Sequence, residues 1–228
     1  MQARSCPACG LIFRLPRAAQ SASDAFYQDD YKEGMTSDTP DDLALASMKA
    51  DQFAGHNLSY ADRIALIRTV AQDGRLLDYG ASWGYGVFQL LAAGFDAEGF
   101  EVSRPRADFG RDKLGVKIIT NADELPDAAF DVVHTAHVLE HIPDPHIAFA
   151  DFKRLVKPGG FVVLQVPNGA GPSALRHGVK WPMLLNEVHV LALTAAFAAR
   201  AFNDYGFDIV DIDDKLDELR VTARKRAA

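Results

Sequence analysis

The chain has 228 residues, 48% of them hydrophobic and 24% charged, with 24 Lys+Arg against 31 Asp+Glu and a net charge of −7. That length supports one domain with a full hydrophobic core and needs no disulfide staples. The acidic balance excludes a general electrostatic attraction to nucleic acid or to an anionic membrane surface, so neither partner is expected. The longest apolar run, 190–202, is interrupted by Thr194 and Arg200 and is too short to span a bilayer. No signal-peptide pattern precedes it, and a cytoplasmic location is the default expectation.

Residues 1–40 differ in character from the rest. They hold a Cys6-Pro7-Ala8-Cys9-Gly10 turn, a short apolar run at 11–13 and a polar stretch over 21–40. Cys6 and Cys9 are the only cysteines, and two intervening residues suit a metal knuckle or a redox pair. A closed zinc site needs four ligands, so two thiolates imply no bound metal in this chain. Residues 41–72 read as helical, split near Gly55 and Asn57 and ended by Asp73-Gly74.

From residue 75 onward short apolar runs alternate with helical stretches. The strand candidates are 76–79, 97–101, 116–120, 130–135 and 161–166, and the helical segments between them are 87–93, 104–114 and 146–157. Asp144-Pro145 offers an N-cap with proline at the first helical position, and Gly159-Gly160 follows the end of that helix. Strand, helix and strand in succession require parallel pairing with right-handed crossovers, hence a doubly wound α/β sheet. An irregular stretch from Pro167 to about 192 precedes a helix at 194–205, a strand at 207–212 and a last short strand at 219–223. The expected organisation is an N-terminal segment, 1–40, followed by one α/β domain, 41–228.

In such a sheet a ligand sits at the carboxyl ends of the strands. The first of these ends reads Asp78-Tyr79-Gly80-Ala81-Ser82-Trp83-Gly84-Tyr85-Gly86, and Glu101 ends the next strand 21 residues after Gly80. Glycines let the backbone approach a ligand, and a carboxylate so placed can accept both hydroxyls of a ribose. The dinucleotide pattern G-x-G-x-x-G is not met, which disfavours a nicotinamide cofactor and an oxidoreductase. Taken alone, the loop reads equally well as a plain strand-to-helix turn.

The order Asp78, Gly80, Gly84 resembles the D-x-G-x-G-x-G loop of class I S-adenosylmethionine-dependent methyltransferases, with Ser82 in place of the middle glycine. Four further elements follow in the family's order: Asn121-Ala122-Asp123-Glu124-Leu125-Pro126 with Phe130-Asp131-Val132-Val133, Val138-Leu139-Glu140-His141-Ile142-Pro143-Asp144-Pro145, Leu155-Val156-Lys157-Pro158-Gly159-Gly160, and Val166-Pro167-Asn168. The resemblance covers about residues 75–168. It implies a seven-stranded Rossmann-like sheet, mostly parallel with an antiparallel C-terminal strand, and S-adenosylmethionine as cofactor. It further implies cofactor contacts from Asp78, Gly80, Ser82, Gly84, Glu101, Asn121, Ala122 and His137. Asn121 replaces the family's acid at the adenine and keeps an amide oxygen that can accept. Trp83 and Tyr85 either face the sulfonium or pack in the core.

If the acceptor is a hydroxyl or an acidic carbon, its proton must be removed. His141, with Glu140 beside it, lies just past the fourth strand and is a candidate general base, although the pair can equally brace its own loop. His134, inside that strand, reads as a satisfied core histidine. The run Trp181…Glu187-Val188-His189-Val190…Thr194 resembles the segment before the last helix of one branch of the family, whose histidine faces the substrate. His189 is therefore a second base candidate, with capping of the next helix as the alternative. Arg176, His177, Lys180, Trp181, Asn186 and Glu187 offer groups able to hold a polyol. The N-terminal text, Cys6 to Phe13 with Tyr27 and Tyr31, resembles the second zinc knuckle and lid of a sugar-modifying branch. Together these readings imply methyl transfer to a small polar acceptor such as a sugar or glycan precursor. A protein that binds the cofactor without turnover is the alternative.

Overall fold

The computed structural model describes residues 2–16, 38–186 and 188–227. At its centre is a seven-stranded sheet: β3 (Arg75–Tyr79), β4 (Asp96–Phe100), β5 (Ile118–Ile119), β6 (Phe130–Ala136), β7 (Val156–Pro167), β9 (Phe207–Asp213) and β10 (Glu218–Lys225). Their spatial order is β5-β4-β3-β6-β7-β10-β9. The pairs from β5 through β7 are parallel, and β10 runs antiparallel to both β7 and β9. This is the doubly wound, mostly parallel sheet expected. The chain leaves β3 in one direction for β4 and β5 and returns on the other side through β6 and β7. The switch point of the sheet therefore lies between β3 and β6, the place at which open α/β sheets bind their ligands.

Helices cover both faces. On one side α1 (Asp42–Ala50), α2 (Ala61–Ile67), α3 (Tyr85–Ala92) and α4 (Arg104–Phe109) bury Phe53, Ile67, Trp83, Val87 and Leu90 against Leu76 and Val132. On the other, α5 (His146–Leu155) and α8 (Ala195–Asp204) bury Phe149, Phe152, Phe197 and Phe202 against Leu77, Val133, Val162 and Leu164. The alternating sides of β3 are thus divided between the two cores. Each such side chain, fully removed from water, contributes roughly 1.5–3 kcal/mol.

The remaining elements form a smaller layer beside the switch point. β1 (Gln2–Ser5) and β2 (Ile12–Leu15) make a hairpin around the Cys6–Cys9 turn, and β2 pairs antiparallel with β8 (Leu191–Ala192). Arg14 fastens the layer: its Nη1 donates to the carbonyls of Asn186 (2.7 Å) and His189 (3.0 Å). Both cysteines are free thiols.

Several boundaries differ from those expected. The segment 168–190 is not irregular but holds α6 (Pro172–His177) and α7 (Pro182–Leu185), each opened by a proline at its first position. β7 begins at Val156, so Lys157-Pro158-Gly159-Gly160 lies inside the strand instead of ending a helix. There the Lys157 ammonium meets both oxygens of Asp131 at 2.8 Å, beside the register shift in β6. The helix expected over 104–114 leaves α-geometry at Gly110 and finishes as a π-turn through Leu114, and the strand expected over 116–120 pairs only at Ile118–Ile119. α2 ends at Ile67, well before Asp73-Gly74. Pro145, not Asp144, is the N-cap of α5; Asp144 lies two residues before the helix but still accepts the His146 N–H, at 3.1 Å. Tyr27, Tyr31 and the rest of the expected lid lie outside the described residues, as does Glu187. Among the described residues no helix is long and apolar enough to cross a membrane.

Candidate cofactor and acceptor site

Two loops meet at the switch point: residues 80–84, after β3, and residues 137–141, after β6. Gly80 has φ +86°, and a Cβ there would fall 2.2 Å from Val138 Cγ2, so the loops touch through this glycine. Gly84, at φ +80°, caps α3. Between them Ser82 has φ 51°, a left-handed conformation that glycine adopts without strain and serine does not. Serine is held there from both ends: its N–H donates to Glu101 Oε2 (2.8 Å), and its hydroxyl accepts from Arg106 Nη1 (2.8 Å). The turn of the glycine-rich loop therefore survives the substitution through two hydrogen bonds.

Glu101 follows β4 and is 8% exposed. Each carboxylate oxygen accepts one backbone N–H, Oε2 from Ser82 and Oε1 from Ser103, both at 2.8 Å. Burial pushes its carboxyl above the usual range, and the two N–H groups offset only part of that. Each oxygen keeps a second acceptor position in a site with little water. A vicinal diol brings two donors to such a carboxylate, so the ribose of an adenosyl cofactor fits this corner.

The other expected cofactor residues divide. Asp78 is 1% exposed, and both its oxygens are engaged within the protein, Oδ2 by the Tyr60 hydroxyl (3.0 Å) and Oδ1 by His134 Nδ1 (2.8 Å). It braces the loop from behind, and His134 is the buried, hydrogen-bonded histidine expected. Trp83 is fully buried among Phe53, Tyr85 and Phe109, which makes it a core residue. Asn121 is exposed, and its Oδ1 accepts the Asp123 N–H at 3.2 Å, capping its own turn instead of standing open to adenine. The Ala122 carbonyl accepts from Arg154 Nη2 at 2.8 Å.

His137, at φ 56°, is half exposed between two carboxylates, with Nε2 3.1 Å from Glu218 Oε1 and Nδ1 3.5 Å from Glu140 Oε1. Partial burial opposes its charge, but Glu140 and Glu218 outweigh this and push its pKa up to about 9. In return His137 helps draw Glu218 down to about 2, against burial. Glu218 also accepts from Gln165 Nε2 (3.0 Å), whose Oε1 lies 3.4 Å from His134 Nε2. A polar chain thus runs from Tyr60 and Asp78 behind the glycine loop, through His134, Gln165, Glu218 and His137, to Glu140. Tyr60, Gln165 and Glu218 were not legible as site residues, because Tyr60 stands at an ordinary helix start and the other two lie within strands.

At the end of that chain the three expected catalytic residues come together. The Val190 N–H donates to the Glu140 carbonyl (2.9 Å), stitching the 139–141 turn to the segment that carries His189. The His141 and His189 rings meet edge to face, 4.7 Å between centroids. One donor atom of each of Glu140, His141 and His189 lies within 4.8 Å of the other two. His141 Nδ1 faces the Val188 carbonyl (3.1 Å), and His189 Nδ1 faces the Met183 carbonyl (2.9 Å). A carbonyl only accepts, so Nδ1 carries the hydrogen in both rings. Burial and the neighbouring His141 push His189 down to about 4, leaving its imidazole neutral at neutral pH. Of the described groups expected to hold a polyol, Arg176, His177 and Lys180 are exposed, Trp181 is buried in a small core under α7, and Asn186 Oδ1 accepts the Val188 N–H at 3.2 Å.

Residues 53–212 match the protein family described as a methyltransferase domain. A ubiquinone biosynthesis O-methyltransferase of Paraburkholderia phymatum is 32% identical over 105 residues, covering 41% of this chain and 44% of the relative. The chain thus spans less than half the length of that curated relative. Among solved structures, an S-adenosylmethionine-dependent methyltransferase from Mesorhizobium loti superposes with a TM-score of 0.59 at 17% identity, over 73% of this chain and 97% of the other. The [4+2]-cyclase SpnF superposes with a TM-score of 0.56 at 19% identity, over 73% of this chain and 80% of the other. At these identities the solved structures give the fold alone, and the cyclase illustrates that this fold carries more than one chemistry.

Proposed function

The chain belongs to the class I S-adenosylmethionine-dependent methyltransferases, and from that premise we propose that it transfers a methyl group to a hydroxyl of a small polar acceptor, a sugar or glycan precursor. The reading rests on one juxtaposition. A buried carboxylate suited to a ribose, Glu101, and the strained 80–84 loop stand on one side of the switch point, and the Glu140–His141–His189 cluster stands on the other.

S-adenosylmethionine, when bound, supplies an activated methyl on a cationic sulfur. The protein must hold donor and acceptor in line and handle one proton. Glu101 and the backbone of residues 80–84 fix the adenosyl end. The cluster after β6 is the wall against which an acceptor hydroxyl becomes nucleophilic, and His137 with Glu218 keeps Glu140 oriented beside it. The name of the curated relative supports oxygen as the attacked atom and favours a second acceptor class, intermediates of ubiquinone biosynthesis.

Incubation with a methyl-labelled cofactor and a panel of nucleotide sugars and phenols tests the proposal. Label is expected in one acceptor class, and Glu140→Gln is expected to slow turnover by roughly a hundredfold, as loss of a group handling a proton does. Tight S-adenosylhomocysteine binding with no transfer to any hydroxyl acceptor would identify a binding protein without turnover.

A further inference from the structure

Glu140 has 1% of its surface exposed, and neither of its carboxylate oxygens accepts a hydrogen bond among the described residues. Its nearest polar neighbours are His137 Nδ1 at 3.5 Å and His141 Nε2 at 4.0 Å, both from Oε1. A buried carboxylate normally takes several donors, and leaving it without them costs free energy that folding alone does not recover. By contrast, Glu101 has both oxygens satisfied by backbone N–H groups. A group that completes Glu140 is electropositive and has a donor atom of each histidine close by, all three residues' donor atoms lying within 4.8 Å of one another.

We propose that Glu140, His141 and His189 form a binding site for a divalent transition-metal cation, of the class of Zn²⁺, Mn²⁺ or Co²⁺, with open positions facing the acceptor. The donor set is two imidazole nitrogens and one carboxylate, which suits these ions and not Mg²⁺ or Ca²⁺, whose ligands are oxygens. Both rings are anchored as metal-ligating histidines are, with Nδ1–H on a backbone carbonyl, so Nε2 is the nitrogen suited to ligation in each; His141 Nε2 lies 4.0 Å from Glu140 Oε1. Ligands about 2.1 Å from an ion lie no more than about 4.2 Å apart. The donor atoms, within 4.8 Å of one another, need to close by well under an ångström. Three protein ligands leave coordination positions for an acceptor oxygen, as reactive sites do and closed structural sites do not.

The role of the ion rests on the methyl-transfer reading, whereas its binding does not. A hydroxyl oxygen ligated at the open position loses its proton to solvent more readily, and the resulting oxygen anion attacks the methyl carbon while the carbon–sulfur pair departs to sulfur. The two histidines then act as ligands, and no ring nitrogen needs to receive the proton.

The test uses the full chain carrying Cys6→Ser and Cys9→Ser, so that thiolates contribute nothing. After chelation and dialysis, Zn²⁺ and Mg²⁺ are titrated calorimetrically and Co²⁺ by visible absorption, without cofactor or acceptor. The expected result is one Zn²⁺ or Co²⁺ per chain, no competition from Mg²⁺, and affinity weakened at least tenfold to a hundredfold by Glu140→Gln and by His189→Gln. S-adenosylhomocysteine binding reports whether the variants remain folded. Absence of stoichiometric binding, or binding unchanged in both folded variants, overturns the proposal. Chelator-resistant methyl transfer would remove the ion's role while leaving the methyltransferase reading intact; failure of transfer under all metal conditions would count against that reading separately.

Discussion

Two buried glutamates on either side of the switch point have opposite surroundings. Glu101 is enclosed by its own backbone: one N–H on each oxygen, and a carboxyl pushed up because burial outweighs them. Burial acts on Glu140 in the same sense, yet the neighbouring His137, 3.5 Å from Oε1, and His141 hold its carboxyl below the usual range. One half of the site is thus built from a contiguous loop and strand end, and the other from side chains delivered by segments almost fifty residues apart. In the reading proposed above, the first half takes a neutral diol and the second a cation.

The largest effect should come where the two halves touch. Gly80→Ala places a Cβ 2.2 Å from Val138 in a left-handed conformation. Overpacking and backbone strain together should cost about 3 kcal/mol, read by urea unfolding, and abolish S-adenosylhomocysteine binding. Next, the halves should separate cleanly. Glu101→Gln should weaken S-adenosylhomocysteine about tenfold to a hundredfold in calorimetry, the loss of a charged acceptor, while leaving the Glu140 cluster intact. The reverse pattern, with unchanged cofactor affinity in Glu101→Gln, would mean that the ribose corner is misplaced.

A third comparison lies along one strand. Glu98, within β4, is paired with Arg75 (2.6 Å) and Lys117 (2.5 Å). Burial opposes its charge, but the two cations prevail and hold its carboxyl below the usual range. A depressed carboxylate contributes stability above its unfolded pKa of about 4.3 and loses it as pH falls through the folded value. Stability should therefore fall on acidification below about pH 4, and Glu98→Gln should flatten that limb in melting scans. The smallest effect is expected for Ser82→Gly. It relieves the left-handed serine but gives up the bond to Arg106, so stability should move by less than about 1 kcal/mol either way.

The division between the halves also marks what the sequence made legible. Gly80, Gly84 and Glu101 announce themselves because their chemistry is local: tight turns demand glycine, and the acid ends the adjacent strand. Ser82 was readable as a departure, but its stabilisation by Arg106 was not, because that arginine arrives from α4. Asp78 and Trp83 stand in the loop yet face inward, and a linear motif does not distinguish the two sides of a strand end. His141 and His189 were singled out as base candidates and Glu140 as the acid beside the first, with no metal expected. Their convergence depends on the Val190–Glu140 backbone bond and on the β2–β8 pairing, which are long-range contacts without a periodic signature. Glu218 and Gln165 meet His137 and His134 only because β10 pairs antiparallel with β7.

The central claim is that the loop after β3 and Glu101 form an adenosyl site of the methyltransferase kind. A thermal-unfolding scan of the wild-type chain with S-adenosylmethionine, S-adenosylhomocysteine and NAD in parallel tests it most directly. A ligand at about a hundred times its dissociation constant stabilises by roughly 2.7 kcal/mol, on the order of 5–10 °C in melting temperature for a chain of this size. The account requires that shift with both adenosyl compounds and none with NAD. No shift with either, or a shift with NAD alone, would contradict it.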